Sequence, residues 1–153
     1  MKLAVKILLA LAIIFVVIQF FRPERNKSEQ AVEADISIVI SVPGNVQTIL
    51  KNACYDCHSN NTKYPWYYHI QPAGWYLANH IKDAKEELNF NEFGSYTQRR
   101  QLSKMEEVGN VISGDLMPLP SYRLLHKKAR LSPEEKKLLI TWAEESKTGF
   151  VAE

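Results

Sequence analysis

The sequence predicts an all-α fold with long connecting loops, preceded by a transmembrane helix. Three observations predict it. A 19-residue apolar run, "LAVKILLALAIIFVVIQFF", fills positions 3 to 21. Beyond it, apolar residues recur with helical spacing in four separate stretches. Prolines, glycines and capping residues stand at the ends of those stretches.

The apolar run is the first element. At 1.5 Å per residue, its 19 residues extend roughly 28 Å, close to the hydrocarbon thickness of a bilayer. Lys6 interrupts it near one end, where an amine can snorkel to the interface. A cleaved signal peptide would have a shorter apolar region ending in a small-x-small site. Here Ala10-Leu11-Ala12 lies inside the run, and "FFRPERNKSEQ" offers no such site. Residues 1–21 are therefore read as an uncleaved transmembrane signal anchor. Basic residues flank it on both sides, Lys2 and Lys6 before and Arg22, Arg25 and Lys27 after, so charge does not orient it.

Residues 22–41 begin as a charged tether. Its "ISIVI" part alternates weakly and is read as extended chain lying against the domain, with a short strand as the alternative. Residues 42–153 suffice for one compact domain and not for two.

Four helices are expected in that domain. In "PGNVQTILKNAC", Val46, Ile49, Leu50 and Ala53 form one stripe, and Pro43 to Asn45 supply the start. A second helix begins at Pro72 and aligns Leu77, Ile81, Ala84 and Leu88. A third follows "FGSYT" with Leu102, Met105, Val108 and Ile112, and Gly114 is placed to end it. The fourth carries the strongest start in the chain. Ser132 is the N-cap, Pro133 fits the first helical position and Glu135 completes a capping box, with Leu138, Leu139 and Trp142 on the buried face. Between the last two helices lies "GDLMPLPSYRLLH", whose two prolines predict irregular chain.

Charge excludes one class of function. With Lys2 and Lys6 set aside, the chain from Arg22 onward carries 17 basic and 17 acidic residues. A neutral domain lacks the basic stripe that neutralises phosphates, so no nucleic-acid partner is expected.

The chemistry concentrates in "ACYDCHSNN", residues 53–61. It holds both cysteines of the chain, Cys54 and Cys57, and His58 follows at once. A thioredoxin-like pair would open a helix beside a βαβ pattern, and no such pattern is present. A zinc site would call for further ligands at motif spacing, whereas His69, His80 and His126 are scattered. Neither reading accounts for the adjacent histidine. Covalent haem attachment accounts for all three residues: two thiols meet the two vinyl groups of one porphyrin, and the next imidazole is directed at the iron. One covalent haem c is therefore expected, with His58 as proximal ligand. Such attachment takes place on the outer side of the bacterial inner membrane. The chain is then expected to be single-pass there, with its domain facing the periplasm.

The expected distal ligand is Met117. It sits in a helix-free loop, followed by Pro118, where a thioether can lie over the open face of the haem. Met105 falls on a helical apolar stripe and is read as core. His80 is the alternative ligand, weighed against a role as a hydrogen-bonded residue at a helix edge. The aromatic stretch "YPWYYH" and Trp75 are read as pocket wall. Trp66 or Tyr122 is a candidate donor to a propionate. Arg99 and Arg100 are read as a solvated helix face, with a propionate partner as the alternative.

The order of these elements resembles a class I cytochrome c. More closely, "CYDCHSNNTKYPWY", "IQPAGW" and "GDLMPL" resemble the small bacterial haem-binding domain family, often membrane-anchored, over about residues 36–146. The resemblance implies a cytochrome c-like helical domain in which the first and last helices cross, so that Ile49 or Leu50 meets Trp142. The long aromatic insert from Tyr64 to Phe93 departs from a minimal cytochrome c.

The function expected from these ligands is single-electron transfer between the haem and a membrane redox enzyme or another carrier, not catalysis. Two alternatives stand beside it. One is a peroxidase-like enzyme or gas or redox sensor with a displaceable sixth ligand, although no distal acid–base motif is recognisable. The other is a structural interaction module that haem staples together.

Overall fold

The computed structural model describes residues 2–28 and 34–151, with side chains described as far as Lys147. Among them the chain is all-helical. Seven α-helices follow in order: α1 (Lys2–Ile18), α2 (Ile36–Val39), α3 (Gly44–Ala53), α4 (Ala73–Glu87), α5 (Gln98–Ser113), α6 (Pro120–Leu125) and α7 (Pro133–Val151). Short 3₁₀ turns occupy Trp66–His69, Phe90–Ser95 and Lys127–Ala129. The only β-pairing among the described residues is an isolated bridge between Lys27 and Asn61.

The expectation of a transmembrane helix is corrected. No helix among the described residues is long and apolar enough to cross a membrane. The apolar run was counted through Phe21, but α1 stops at Ile18 after 17 residues, which at 1.5 Å each is about 26 Å. Gln19 ends the run: its Nε2 donates to the Phe15 carbonyl at 2.9 Å and to the Gln71 carbonyl at 3.2 Å. The expected single-pass placement in a bacterial inner membrane rested on that span and falls with it, and the periplasm-facing orientation drawn from the attachment chemistry has no span left to orient.

The chain after α1 is bonded to the domain. Gln19 Oε1 accepts from the Gln71 amide at 2.9 Å, Trp75 Nε1 donates to the Phe21 carbonyl at 2.7 Å, and Tyr68 donates its hydroxyl to the Pro23 carbonyl at 3.0 Å. Part of the stretch read as a tether therefore lies along residues 59–75 as a neck.

Helical periodicity decides the core. Val46, Ile49 and Leu50 from α3, Met105, Val108 and Ile112 from α5, and Leu139, Trp142 and Ala143 from α7 share one cluster with Leu88, Phe90 and Phe93. α5 and α7 form its main helix pair, and α3 packs on α7. Fully burying a side chain such as Phe93 or Leu139 contributes roughly 1.5–3 kcal/mol each. Trp142 also donates Nε1–H to the Ser41 carbonyl at 3.1 Å, so its polar edge is satisfied as its ring is buried.

The capping chemistry is present at α7: the Ser132 amide donates to Glu135 Oε2 at 2.8 Å, and the Glu135 amide donates to Ser132 Oγ at 3.2 Å. Gly114 is the C-cap of α5, but its φ of −76° is ordinary. The left-handed residue is Asp115, φ 57°.

Two local readings differ from the structure. "ISIV" is a single helical turn, not extended chain. Asp35 caps it by accepting from the Ser37 amide at 2.9 Å, and Ile36 is fully buried in the core. The proline-rich loop contains α6, because Pro120 stands at its first turn, where a missing N–H costs nothing.

A second, smaller cluster of Tyr68, Leu77 and Ile81 carries Tyr64, Tyr67, Ala78 and Cys57 against it. Gly74 is required there. A Cβ at this position would meet the Tyr68 carbonyl oxygen at 2.3 Å and the Gln71 side chain at 2.8 Å. Gly74→Ala is expected to destabilise the protein by about 1–3 kcal/mol, seen as a lower Tm in a thermal melt. An unchanged Tm would contradict that packing.

Candidate functional site

α3 runs directly into the two-cysteine loop. The Cys54 and Tyr55 amides both donate to the Leu50 carbonyl at 2.9 Å, which ends the helix. The Cys57 and His58 amides then donate to the Cys54 carbonyl, at 3.1 and 2.9 Å. This tight turn places Cys54 against the main core and Cys57 against the smaller aromatic cluster. The two thiols thus stand where two apolar regions meet. Both are free. Burial, reinforced by the neighbouring Cys57, pushes the Cys54 thiol up to about 12. Burial and Asp56 push Cys57 up to about 11. Both thiols are therefore protonated at neutral pH.

His58 is oriented by the chain beyond α4. Its Nδ1 lies 2.9 Å from the Leu88 carbonyl. A carbonyl only accepts, so Nδ1 carries the proton and Nε2 keeps its lone pair. The ring meets Phe90 edge-on at 6.1 Å, and Phe90 in turn stacks on Tyr55 at 5.1 Å. Burial lowers the imidazole pKa, against opposing contributions from the Leu88 and Ala84 carbonyls and from Glu107 and Glu87. A neutral imidazole with a fixed tautomer is the state of a metal-ligating histidine.

The Met117 loop is fastened at both ends. The Leu116 and Met117 amides donate to the Val111 carbonyl at 2.9 and 3.3 Å. Asp115 Oδ1 accepts from Arg123 and Lys136, each at 2.8 Å. Beyond the cis Met117–Pro118 peptide, Tyr122 on α6 donates its hydroxyl to Asp56 Oδ2 at 2.7 Å. Asp56 lies between the two cysteines, so this bond ties the Met117 loop to the cysteine loop. Met117 is half-buried.

The other sequence candidates lie elsewhere. His80 Nδ1 donates to the Tyr76 carbonyl at 2.9 Å, and its ring sits 4.1 Å from the Tyr76 ring, so it is engaged with its own helix. Trp66 is 73% exposed, and the Tyr122 hydroxyl is committed to Asp56. Arg100 lies 4.1 Å over the Tyr96 ring and donates to the Glu86 carbonyl at 3.2 Å.

Sequence reasoning gave little weight to His126. It sits 3.9 Å from the Tyr122 ring and 6.0 Å from that of Tyr67, which packs on the Cys57 side. Its buried Nδ1 has no hydrogen-bond partner among the described residues. Burial lowers its pKa, with Asp56 opposing. No sequence pattern joins positions 56, 67, 122 and 126; only the docking of α6 does.

The donor chemistry fits a haem. Two protonated thiols and one tautomer-locked imidazole share a single turn, apolar and aromatic side chains pack against the cysteines, and a buried polar nitrogen beside Tyr122 has no hydrogen-bond partner among the described residues. It does not fit a bare metal ion: no group of three or more His, Cys, Asp or Glu among the described residues could hold one.

No curated protein and no solved structure matches the chain. A family model described as a haem-binding domain matches residues 13–145. That match spans most of the chain and contains the whole cysteine–histidine turn and the Met117 loop, and the protein belongs to the haem-binding domain family.

Proposed function

We propose that the protein holds one haem c through thioethers from Cys54 and Cys57, ligates its iron with His58 and Met117, and transfers single electrons without turning over a substrate. The observation that carries this reading is the bond from Tyr122 to Asp56, which ties α6, the helix that follows Met117, to the turn that bears both thiols and His58.

When bound, the haem supplies a one-electron iron couple. The chain supplies the rest. Cys54 and Cys57 would hold the haem as thioethers, each thiol supplying both the sulfur and the hydrogen that a vinyl group takes up, so attachment would need no oxidant. His58 offers Nε2, and the Leu88 carbonyl on Nδ1 both orients the ring and makes the free nitrogen a stronger donor. Met117 offers a thioether, a soft ligand that favours the reduced metal and raises the potential. With His58 and Met117 both holding the iron, the chain would leave no coordination site for a substrate.

Voltammetry of the purified haem-loaded protein is expected to give one reversible one-electron wave. Peroxidase turnover should be no better than that of a six-coordinate cytochrome. Rapid, saturable turnover of hydrogen peroxide would overturn the proposal. So would tight carbon monoxide binding to the ferrous protein, because either requires an iron that Met117 does not occupy.

A further inference from the structure

The geometry points to Asn26, in the neck after α1, as a positioning residue that locks the haem-attachment turn from outside. Every polar group of Asn26 is engaged. Its amide donates to the Tyr64 hydroxyl, and its carbonyl accepts from the Thr62 amide at 3.1 Å. Side-chain Nδ2 donates to the Ser59 carbonyl at 2.7 Å and to Thr62 Oγ1 at 2.9 Å. Oδ1 accepts from Lys85 Nζ at 2.8 Å.

The chemistry of the partners fixes the orientation of the carboxamide. Lys85 only donates and the Ser59 carbonyl only accepts, so Oδ1 must face the first and Nδ2 the second. Thr62 passes the constraint on: its hydroxyl donates to the Asp56 carbonyl at 2.7 Å. That carbonyl lies inside the Cys54–Cys57 turn. Asn26 therefore grips the chain on both sides of His58, through Ser59 after it and through Thr62 and Asp56 before it. Ser59 and Thr62 are 1% and 4% exposed, so water is not positioned to replace these donors.

The residue type follows. Aspartate has the same shape and would still accept from Lys85, but it would set a carboxylate against the Ser59 carbonyl and withdraw both donors. The neck is thus part of the site. The consequence for haem rests on the proposed thioether attachment; the positioning itself does not.

The test is hydrogen exchange on the full chain as purified, read together with the ferric electron paramagnetic resonance spectrum. In Asn26→Asp, amides of residues 57–63 are expected to exchange roughly tenfold faster, because the turn opens locally once two buried donors are gone. Amides of α5 and α7 should exchange as in the wild type. The g-values set by the His58 ring should shift, and the covalent haem fraction should fall. Lys85→Met removes a bond to the same residue but leaves Nδ2 in place, and it should leave the turn's exchange and the spectrum unaltered. Thr62→Val, which keeps the shape and deletes the relay to Asp56, should reproduce the Asn26→Asp pattern and serves if that variant fails to fold. Wild-type exchange in residues 57–63 of Asn26→Asp, or of Thr62→Val, would overturn the inference. Equal acceleration by Lys85→Met, or acceleration spread over α5 and α7, would also overturn it, since that is general destabilisation. If the wild type carried no covalent haem, the proposed function would fail, while the exchange data would still decide the role of Asn26.

Discussion

Replacing Cys54 and Cys57 together by serine is expected to abolish haem staining on a denaturing gel, while each single replacement should leave a weaker signal from the remaining thioether. This is the largest effect expected of any substitution here, because the proposed thioethers have no other source: these are the only two cysteines in the chain. The fold should survive. The turn is closed by backbone bonds, from the Cys57 and His58 amides to the Cys54 carbonyl, and those do not involve sulfur. Both side chains are only half-buried, and serine is close to cysteine in shape. The double variant should therefore express as a helical protein whose haem, if captured at all, is removed by denaturation. Circular dichroism separates this outcome from unfolding. Full covalent haem in the double variant would refute the attachment proposed here.

What the sequence made legible was local. The stripe Val46, Ile49, Leu50, Ala53 and the Ser132–Glu135 capping box are set by neighbours within two helical turns, and both are found as read. The Cys54–Cys57–His58 motif was equally visible, because its geometry comes from one turn of chain. Local readings failed where the tertiary fold decided the end of an element. Gln19, Phe20 and Phe21 look like the tail of an apolar helix. Gln19 instead pairs with Gln71, 52 residues away, and the helix stops. Pro120 was read as a breaker, although a proline serves equally well as the first residue of a helix. The site's supports were hidden for the same reason. Leu88 on His58 is 30 residues distant, Asn26 on Ser59 is 33, and Tyr122 on Asp56 is 66. No periodicity or motif announces a bond between a side chain and a carbonyl across such a separation.

Met117→Ala should open the iron without dismantling the loop. The loop's fastenings do not use the Met117 side chain: Asp115 holds Arg123 and Lys136, the Leu116 and Met117 amides hold the Val111 carbonyl, and Tyr122 holds Asp56. Truncation to alanine leaves all of these in place and removes only the thioether. Three changes are then expected together. The weak near-infrared sulfur-to-iron charge-transfer band of the oxidised protein disappears. Carbon monoxide binds the ferrous form, and cyanide the ferric form, at the position that Met117 is proposed to fill. The reduction potential falls by on the order of 100 mV, a fraction of the roughly 0.8 V that axial ligands span, because no soft ligand now favours ferrous iron. Two controls assign the effect. Met105 is 1% exposed in the main core, so Met105→Leu should keep the band and the potential. His80 is bonded to the Tyr76 carbonyl on its own helix, so His80→Ala should also keep both. An unchanged spectrum in Met117→Ala, combined with loss of the sixth ligand in His80→Ala, would move the distal site to His80. It would also require α4 to turn that ring away from Tyr76.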